Sequence, residues 1–174
     1  CDPFNDASVF RLFKIKNRSL SKYLPILTSK TEHLSQLVEI TNEANMLMNH
    51  FWPGQLTIIL KLKSNSLTSK YAFDKSVAIR IPNNICTINL IQMTKNKFLV
   101  GTSANLSNTP PFNNLENIHT SVLHGYDAIV DGGLLNNSLH VSTIVDLVEF
   151  NNPKIIREGI ISRDKIFTVL KEFL

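Results

Sequence analysis

Short runs of β-branched and aliphatic residues, separated by helical patterns, constrain the fold of this chain more than any other feature. Such runs predict strands, and they lie at residues 24–28, 56–62, 76–82, 97–101, 127–131, 142–148 and 154–158. Helical periodicity falls between them, at residues 7–15, 33–40, 42–48, 84–94, 115–123 and in a C-terminal segment after residue 162. Strands and helices mix irregularly and without an internal repeat, which predicts a mixed sheet of the α/β or α+β kind.

Polar residues mark where several of these helices begin. Asp6 can cap the first helix, Ser29 with Glu32 forms a capping-box pattern, and Thr41 can cap the helix at 42–48. The segment "FWPGQ" at 51–55 contains adjacent Pro and Gly, which interrupt any regular element. We therefore expect a turn before the strand at 56–62.

Length, charge and cysteine content narrow the class of protein. The 174 residues suit one domain with a core, and no apolar run approaches the roughly 20 residues of a membrane-spanning helix. The net charge of +4 and the pI of about 9.1 favour anionic partners such as nucleotides or RNA. Cys1 and Cys86 form neither a metal-ligand spacing nor a disulfide framework, so we expect a cytoplasmic protein in a reducing compartment.

The basic connection after the first helix is the first candidate binding site. Lys16 and Arg18 are two residues apart, so in a loop or extended segment their side chains leave the same side of the chain. An Arg fork and a Lys point charge together suit a polyphosphate, and Lys22 adds a third cation. A solvated basic loop is the alternative interpretation.

The segment "GTSANLSNTPP" at 101–111 is the second candidate site, because it crowds small hydroxyl and amide side chains after a buried strand. Ser103 and Asn105, with nearby backbone N–H groups, can form an anion-binding nest. Ordinary turn chemistry of Ser and Asn explains the same residues.

Arg80 lies inside the apolar run "VAIRIP", where a buried cation is costly unless it meets an anion. A ligand carboxylate is one such anion, and an outward-facing side chain is the alternative. Arg157 poses the same question. Ser142 and Thr143 can bind a ligand through their hydroxyls, although β-propensity alone explains Thr143.

Metal and serine-hydrolase chemistry have little support. The five His residues show no HxxxH or HxH spacing, and the sequence has no Gly-x-Ser-x-Gly elbow or Walker loop. Asp131, Asp146 and Glu158 lie near the last predicted strands and can hold Mg²⁺ around a nucleotide, but strand ends and turns commonly carry acids.

Six motifs occur in an order and spacing that resemble the YrdC/TsaC family of threonylcarbamoyl-AMP synthases, in its short single-domain form. They are "KNR", "FWPGQLTIIL", "SVAIRIP", "VGTSANLS", "STIVD" and "IIREG". The resemblance implies a YrdC-like twisted mixed sheet with flanking helices around a deep, basic, concave cleft. It also implies that L-threonine, bicarbonate or CO₂, and ATP are joined into threonylcarbamoyl-AMP with release of pyrophosphate, Mg²⁺ accompanying the ATP. A partner transferase then uses the product to form threonylcarbamoyladenosine next to the anticodon of tRNA.

The resemblance also implies which residues carry this reaction, each matched to a family motif. The catalytic residues are Lys16, Arg18, Ser103 and Asn105. The ATP-binding residues are Arg18, Lys22, Ser76, Ala104 and Arg157. The threonine-binding residues are Arg80, Thr102 and Ser142. Trp52, Pro53 and Gly54 shape a wall of the cleft, and no metal ligands are implied.

The sequence departs from the family pattern at three places. Asn108 replaces a Gly, Leu27 replaces a His that some relatives carry, and the motif "PTDTVYGLG" that precedes "CDP" in the family does not occur here. We therefore expect a single YrdC-like domain over residues 1–174 without the family's N-terminal strand and motif. A non-catalytic module of the same fold that binds double-stranded RNA or tRNA is the alternative function.

Overall fold

A mixed α/β sheet organises the chain. The structure, a computed structural model, describes residues 1–64, 69–107, 109, 125–131, 141–149 and 151–171. The strands are β1 (Ile26–Thr28), β2 (Leu56–Lys61), β3 (Ser76–Arg80), β4 (Phe98–Val100), β5 (Thr143–Asp146) and β6 (Lys154–Arg157). The helices described are α1 (Asp6–Ile15), α2 (Asn42–Phe51), α3 (Ile85–Met93), α4 (Arg163–Lys171) and a 3₁₀ helix at Thr31–Gln36. None of these helices is long and apolar enough to cross a membrane.

The order of the strands, β4-β1-β3-β2-β5-β6, gives the sheet two distinct ends. The pairs β1/β3 and β2/β5 are parallel, and the pairs β1/β4, β2/β3 and β5/β6 are antiparallel. The starts of β1 and β3 therefore lie beside the end of β4, and we call this end of the sheet the β4 end. The ends of β3 and β6 lie beside the starts of β2 and β5, and we call this opposite end of the sheet the β5 end.

The two faces of the sheet differ in burial, because successive side chains of a strand point to opposite sides. In β3, Val77 and Ile79 are buried, whereas Ser76, Ala78 and Arg80 are half-buried. The buried face packs on α1, α2 and α4 in one core, which contains Ile26, Leu56, Ile58, Leu60, Val77, Ile79 and Val145 from the strands and Val9, Phe13, Leu47, Met48 and Ile166 from the helices. The opposite side, the half-buried face, carries the polar residues of β3.

Asn5 caps α1 in place of the predicted Asp6. The Asn5 side-chain oxygen accepts a hydrogen bond from the Ser8 N–H at 3.0 Å. Asp6 is the first helical residue, and its carboxylate accepts from the Ser69 hydroxyl and the Lys70 N–H instead. Asp6 thus ties the start of α1 to the segment before β3.

The predicted capping box at Ser29 and Glu32 is wrong. The 3₁₀ helix begins at Thr31, one residue later than a box capped by Ser29 requires, and its N-cap has no side-chain hydrogen bond. Thr41 is confirmed as a helix cap, since its hydroxyl accepts from the Ala44 N–H at 3.2 Å.

The strand predicted at 127–131 does not form. These residues have no ladder partner among the described strands, and Ile129 and Val130 are exposed. Apolar β-branched residues alone do not make a strand, because a strand needs a partner for its backbone hydrogen bonds. The predicted helix at 115–123 and the position of Asn108 lie outside the described residues.

The "FWPGQ" turn is held against β3. The Trp52–Pro53 peptide bond is cis, and the Gly54 N–H donates to the Ile81 carbonyl oxygen at 2.9 Å. A Cβ at Gly54 would lie 2.3 Å from the Phe51 carbonyl oxygen, so only glycine fits here. The turn therefore lies at the β5 end, next to the last residues of β3.

Candidate functional site

The "KNR" segment is a helix terminus with a specific hydrogen-bond pattern. The Arg18 N–H donates to the Phe13 carbonyl oxygen at 3.0 Å, and the Asn17 N–H donates to that of Lys14 at 3.1 Å. Asn17 has a φ of 48°. These features define a Schellman motif with Asn17 in the left-handed position that glycine usually occupies. The reversal places Lys16 and Arg18 on the connection into β1.

Lys16 joins the end of α1 to the loop that follows β4. Its ammonium donates to the backbone carbonyl oxygens of Ser103 at 2.5 Å and Asn105 at 2.6 Å. The Ser107 N–H in turn donates to the Lys16 carbonyl oxygen at 2.9 Å. The loop at 101–107 and the end of α1 are thus fastened through both the side chain and the backbone of Lys16.

The charge of Lys16 lacks an acidic partner among the described residues. The residue is only 5% exposed, and the ion pairs in the described ranges join other residues. Burial, and secondarily the positive charge of Arg18, lowers the pKa of Lys16. An ammonium carries three donors, and the two backbone carbonyls use two of them. The third has no acceptor among the described residues.

Arg18 is half-buried beside Lys16 and is oriented by its own loop. Its Nε donates to the Lys22 carbonyl oxygen at 3.1 Å, and its Nη2 donates to that of Tyr23 at 2.9 Å. Burial lowers the pKa of Arg18. No described residue accepts a hydrogen bond from Nη1, so part of the guanidinium fork is available to a ligand, while the Lys22 side chain is exposed.

The loop at 101–107 presents three exposed residues and one buried amide. Thr102, Ser103 and Ala104 are exposed, whereas Asn105 is 9% exposed. The Asn105 amide nitrogen donates to the carbonyl oxygens of Leu106 at 3.0 Å and Thr109 at 2.5 Å. Its Oδ1 has no partner among the described residues. A buried acceptor without a donor is costly, which is typical of a position that a ligand completes.

Arg80 is neither an outward surface residue nor a core ion pair. Its Nε donates to the Gly54 carbonyl oxygen at 2.7 Å, and burial lowers its pKa. No described residue accepts from either of its terminal nitrogens, and none pairs with it as a carboxylate. The turn that contains cis-Pro53 therefore orients the Arg80 guanidinium through Nε. The two terminal nitrogens are left in a geometry that suits an anion such as a carboxylate.

Ser142 and Arg157 contact each other at the β5 end. Arg157 donates from Nε and Nη2 to the Ser142 carbonyl oxygen, at 3.1 and 2.9 Å, and from Nη2 to the Ser142 hydroxyl oxygen at 3.1 Å. The neighbouring Thr143 is fully buried, and its hydroxyl donates to the Ile161 carbonyl oxygen at 2.6 Å. Thr143 is therefore structural, and Ser142 is the residue of the pair that faces Arg157.

The eleven residues expected in the site fall into two groups. Eight lie around the β4 end, namely Lys16, Arg18, Lys22, Ser76, Thr102, Ser103, Ala104 and Asn105. Arg80, Ser142 and Arg157 lie at the β5 end. Ser76 and Arg80 share the half-buried face and stand about 13 Å apart along β3, at about 3.3 Å per residue. Ser76 is thus the residue of the first group that shares a strand face with Arg80.

Two of the three acidic residues near the last predicted strands, Asp146 and Glu158, accept hydrogen bonds from backbone N–H groups. Asp146 accepts from the Val148 N–H at 2.9 Å, and Glu158 accepts from the Arg163 N–H at 3.1 Å, at the start of α4. Within the described residues no three His, Cys, Asp or Glu side chains are grouped to hold a metal ion. These acids therefore act in a turn and at a helix start.

Thr57 is a residue of this region that the sequence analysis missed. Its hydroxyl lies 2.9 Å from the Ser142 hydroxyl. Thr is common in strands for its β-propensity, so the residue type gave no signal. Its position directly after "FWPGQL", one strand away from Arg80, is the feature that could have drawn attention to it.

Comparisons with known proteins show which family this chain resembles. Residues 1–159 match the protein family Sua5_yciO_yrdC, described as "Telomere recombination". The threonylcarbamoyl-AMP synthase of Pyrococcus abyssi (strain GE5 / Orsay) is 30% identical over 170 residues, which cover 97% of this chain and 49% of the relative. The threonylcarbamoyl-AMP synthase of Buchnera aphidicola subsp. Schizaphis graminum (strain Sg) is 31% identical over 163 residues, which cover 90% of this chain and 81% of the relative.

A solved structure gives the same match at the level of the fold. The crystal structure of P. abyssi Sua5 complexed with L-threonine is 28% identical, has a TM-score of 0.85, and is matched over 98% of this chain and 49% of its own. The chain thus spans about half the length of the P. abyssi relative and most of the Buchnera relative. The fold is YrdC-like.

Proposed function

The chain belongs to the Sua5/YciO/YrdC family, and from this membership we propose that it is a threonylcarbamoyl-AMP synthase. The observation that carries the proposal is Lys16, a buried cation that is held by two backbone carbonyls and lacks an acidic partner among the described residues. Buried charges are costly unless they are paired. A polyphosphate at the β4 end would supply the missing partner.

In the proposed reaction the amine of L-threonine adds to CO₂, derived from bicarbonate, to give a carbamate. A carbamate oxygen attacks the α-phosphorus of ATP, the bond from that phosphorus to the bridging oxygen breaks, and pyrophosphate leaves. The task of the protein is to position the reactants and to stabilise negative charge on the phosphates. Lys16 and Arg18 provide the positive charge that stabilises the phosphates, and Ser103 and Asn105 line the same position.

Asn105 can take part through its side-chain Oδ1, which has no partner among the described residues. This oxygen can accept a hydrogen bond from an N–H or O–H group of the nucleotide or from the hydroxyl of the threonine substrate. Ser76 and Ala104 lie at the same end and complete the proposed ATP site, with the exposed Lys22 and with Arg157 from the β5 end. ATP enters as its Mg²⁺ complex, in which the ion neutralises phosphate oxygens and needs few protein ligands.

L-Threonine binds at the β5 end in this proposal. The terminal nitrogens of Arg80 match a carboxylate in a two-pronged geometry, and its Nε is already fixed by Gly54. The Ser142 hydroxyl is a donor to the carboxylate or carbamate, and Thr102 reaches the substrate from the β4 end. The bond between the carbamate oxygen and the α-phosphorus would form at the half-buried face between the two groups. A separate transferase would then carry the threonylcarbamoyl group to tRNA.

The test is pyrophosphate release by the purified chain supplied with ATP, Mg²⁺ and bicarbonate, with and without L-threonine. We expect release only with L-threonine, and formation of a product whose mass equals threonylcarbamoyl-AMP. D-Threonine is the matched negative control. Arg80 and Ser142 are oriented by hydrogen bonds to Gly54 and Arg157, so they should bind only one arrangement of groups around the α-carbon. Release that ignores L-threonine, together with duplex RNA binding that ignores ATP and weakens steeply with salt, would favour the non-catalytic RNA-binding alternative.

A further inference from the structure

The hydroxyl of Thr57 contacts a residue of the proposed threonine site, although no motif assigns it a role. Thr57 is 5% exposed and Ser142 is 8% exposed, and their hydroxyl oxygens are 2.9 Å apart. The register of β2 and β3 pairs Ile58 with Ile79. Thr57 therefore lies across from Arg80 and shares the half-buried face with it.

The hydrogen bond between the Thr57 and Ser142 hydroxyls has two possible directions. A serine hydroxyl has one proton and two lone pairs, and the Arg157 Nη2 occupies one lone pair at 3.1 Å. If Thr57 donates to Ser142, the second lone pair is also used. If Ser142 donated to Thr57, the proton of the more deeply buried Thr57 would have no acceptor among the described residues. If Thr57 donates, the proton without an acceptor among the described residues is that of Ser142, the more exposed of the two hydroxyls and the one that contacts Arg157, where a ligand can accept it.

We propose that Thr57 is a positioning residue for the amino-acid substrate. By donating to Ser142 Oγ it fills the last lone pair of that oxygen, so that Ser142 can act toward a ligand only as a hydrogen-bond donor. The ligand atom opposite Ser142 must then be an acceptor, such as a carboxylate or carbamate oxygen, and an ammonium group is rejected. This inference rests on the proposed function, because it deepens the role of the threonine site.

The experiment compares Thr57→Val, which keeps the shape and removes the hydroxyl, with Thr57→Ser, which keeps the hydroxyl. Each full-length variant is titrated with L-threonine in a calorimeter and assayed for threonine-dependent pyrophosphate release. We expect T57V to raise the dissociation constant and KM for L-threonine about tenfold, because Ser142 would no longer be oriented to donate its hydrogen bond to the ligand carboxylate or carbamate. The KM for ATP should stay unchanged, and T57S should restore the wild-type affinity for L-threonine.

The matched control is Thr28→Val. Thr28 is a fully buried threonine of β1 on the opposite face, and its hydroxyl donates to the Lys97 carbonyl oxygen at 3.0 Å. T28V should lower the thermal stability without changing the affinity for L-threonine. A T57V/S142A double variant should bind L-threonine no more weakly than S142A alone, because Thr57 acts through Ser142.

The outcomes separate the two proposals. If wild type binds L-threonine and T57V binds it equally well, the positioning role is wrong while the proposed function stands. If T57S binds as weakly as T57V, the methyl packing matters rather than the hydroxyl, and the inference also fails. If T57V does not fold, Thr57→Ala takes its place with the same expected loss. If wild type neither binds L-threonine nor releases pyrophosphate, both proposals are wrong.

Discussion

The ammonium of Lys16 donates to the backbone carbonyl oxygen of Asn105 at 2.6 Å, across 89 residues of sequence. One residue therefore joins the end of α1 to the loop after β4, while it is itself buried without an acidic partner in the described part of the chain. The arrangement uses neutral carbonyl groups to hold a cation and leaves its full charge for a ligand. Activity and loop position should both depend on this side chain.

Removing the Lys16 charge should strongly lower turnover without unfolding the protein. We expect Lys16→Met to lower kcat for threonine-dependent pyrophosphate release by about 10²- to 10³-fold, the range found when one preorganised charge-stabilising donor is lost. Methionine keeps most of the buried stem, so circular dichroism should show the wild-type helix content. Pyrophosphate release at saturating substrates measures the effect.

Lys14→Met is the control for that variant. Lys14 is exposed on α1, with its ammonium 4.6 Å from the centre of the Phe10 ring, and it takes no part in the proposed site. K14M should retain wild-type turnover. Equal loss in K14M and K16M would mean that overall positive charge matters and that the buried position of Lys16 does not.

The left-handed backbone at Asn17 should make this position intolerant of branched side chains. Asn17→Val should destabilise the fold by about 1–2 kcal/mol, the cost of a left-handed conformation for such a residue. It should also lower activity at temperatures where the protein stays folded, because Lys16 and Arg18 flank the reversal. Chemical denaturation and the pyrophosphate assay measure the two effects.

Asn151 offers a matched control, since its φ is 54° and it lies in the turn before β6. Asn151→Val should cost similar stability and leave activity unchanged in the folded protein. Asn17→Gly should be at least as stable as wild type and fully active. A stable, active N17V would show that the reversal does not position the two cations.

The sequence predicted most of the sheet, but not the contacts that join the candidate site residues. The strand runs around Ile58 and Ile79 were correctly located because burial on one face leaves a strong apolar pattern. The strand at 127–131 was wrong because propensity does not show whether a ladder partner exists. Asn5 and Asp6 are both good caps, so residue type alone could not choose between them.

The contacts that assemble the site run mainly through backbone atoms, which explains why sequence reasoning missed them. Lys16 binds the carbonyls of Ser103 and Asn105, and Arg80 binds that of Gly54. Every residue has a carbonyl group, so these partners leave no compositional signal. The cationic side chains were identifiable, whereas the groups that orient them required the structure.

Arg80 should resist even a conservative substitution. Arg80→Lys keeps the positive charge but cannot bind the Gly54 carbonyl and a carboxylate with the same planar group. We expect the KM for L-threonine to rise about tenfold or more, from the loss of a two-pronged charge-assisted contact, while the KM for ATP changes little. Steady-state kinetics with each substrate varied in turn would show this, and an equal rise in both KM values would contradict the separation of the two groups.

His33 should make stability fall as the solution becomes mildly acidic. Its Nδ1 lies 3.1 Å from the Thr28 hydroxyl oxygen, and burial is the largest of the causes that lower the pKa of His33 from its ordinary value of 6.5. Below pH 6.5 the unfolded chain therefore binds a proton more readily than the folded chain, so the free energy of unfolding decreases as the pH falls toward the lowered pKa. The partly exposed ring makes the effect smaller than about 1.4 kcal/mol, the value of one full pKa unit.

The measurement for His33 is urea denaturation of wild type and His33→Gln between pH 7.5 and about pH 5. Other titrating groups are common to both proteins, so the difference between the two free energies isolates the imidazole. Wild type should lose stability relative to H33Q across this range, because only wild type has a group at position 33 that the unfolded state protonates first. A difference that stays constant with pH, or that grows in favour of wild type on acidification, would mean that the folded protein does not disfavour the charged imidazole.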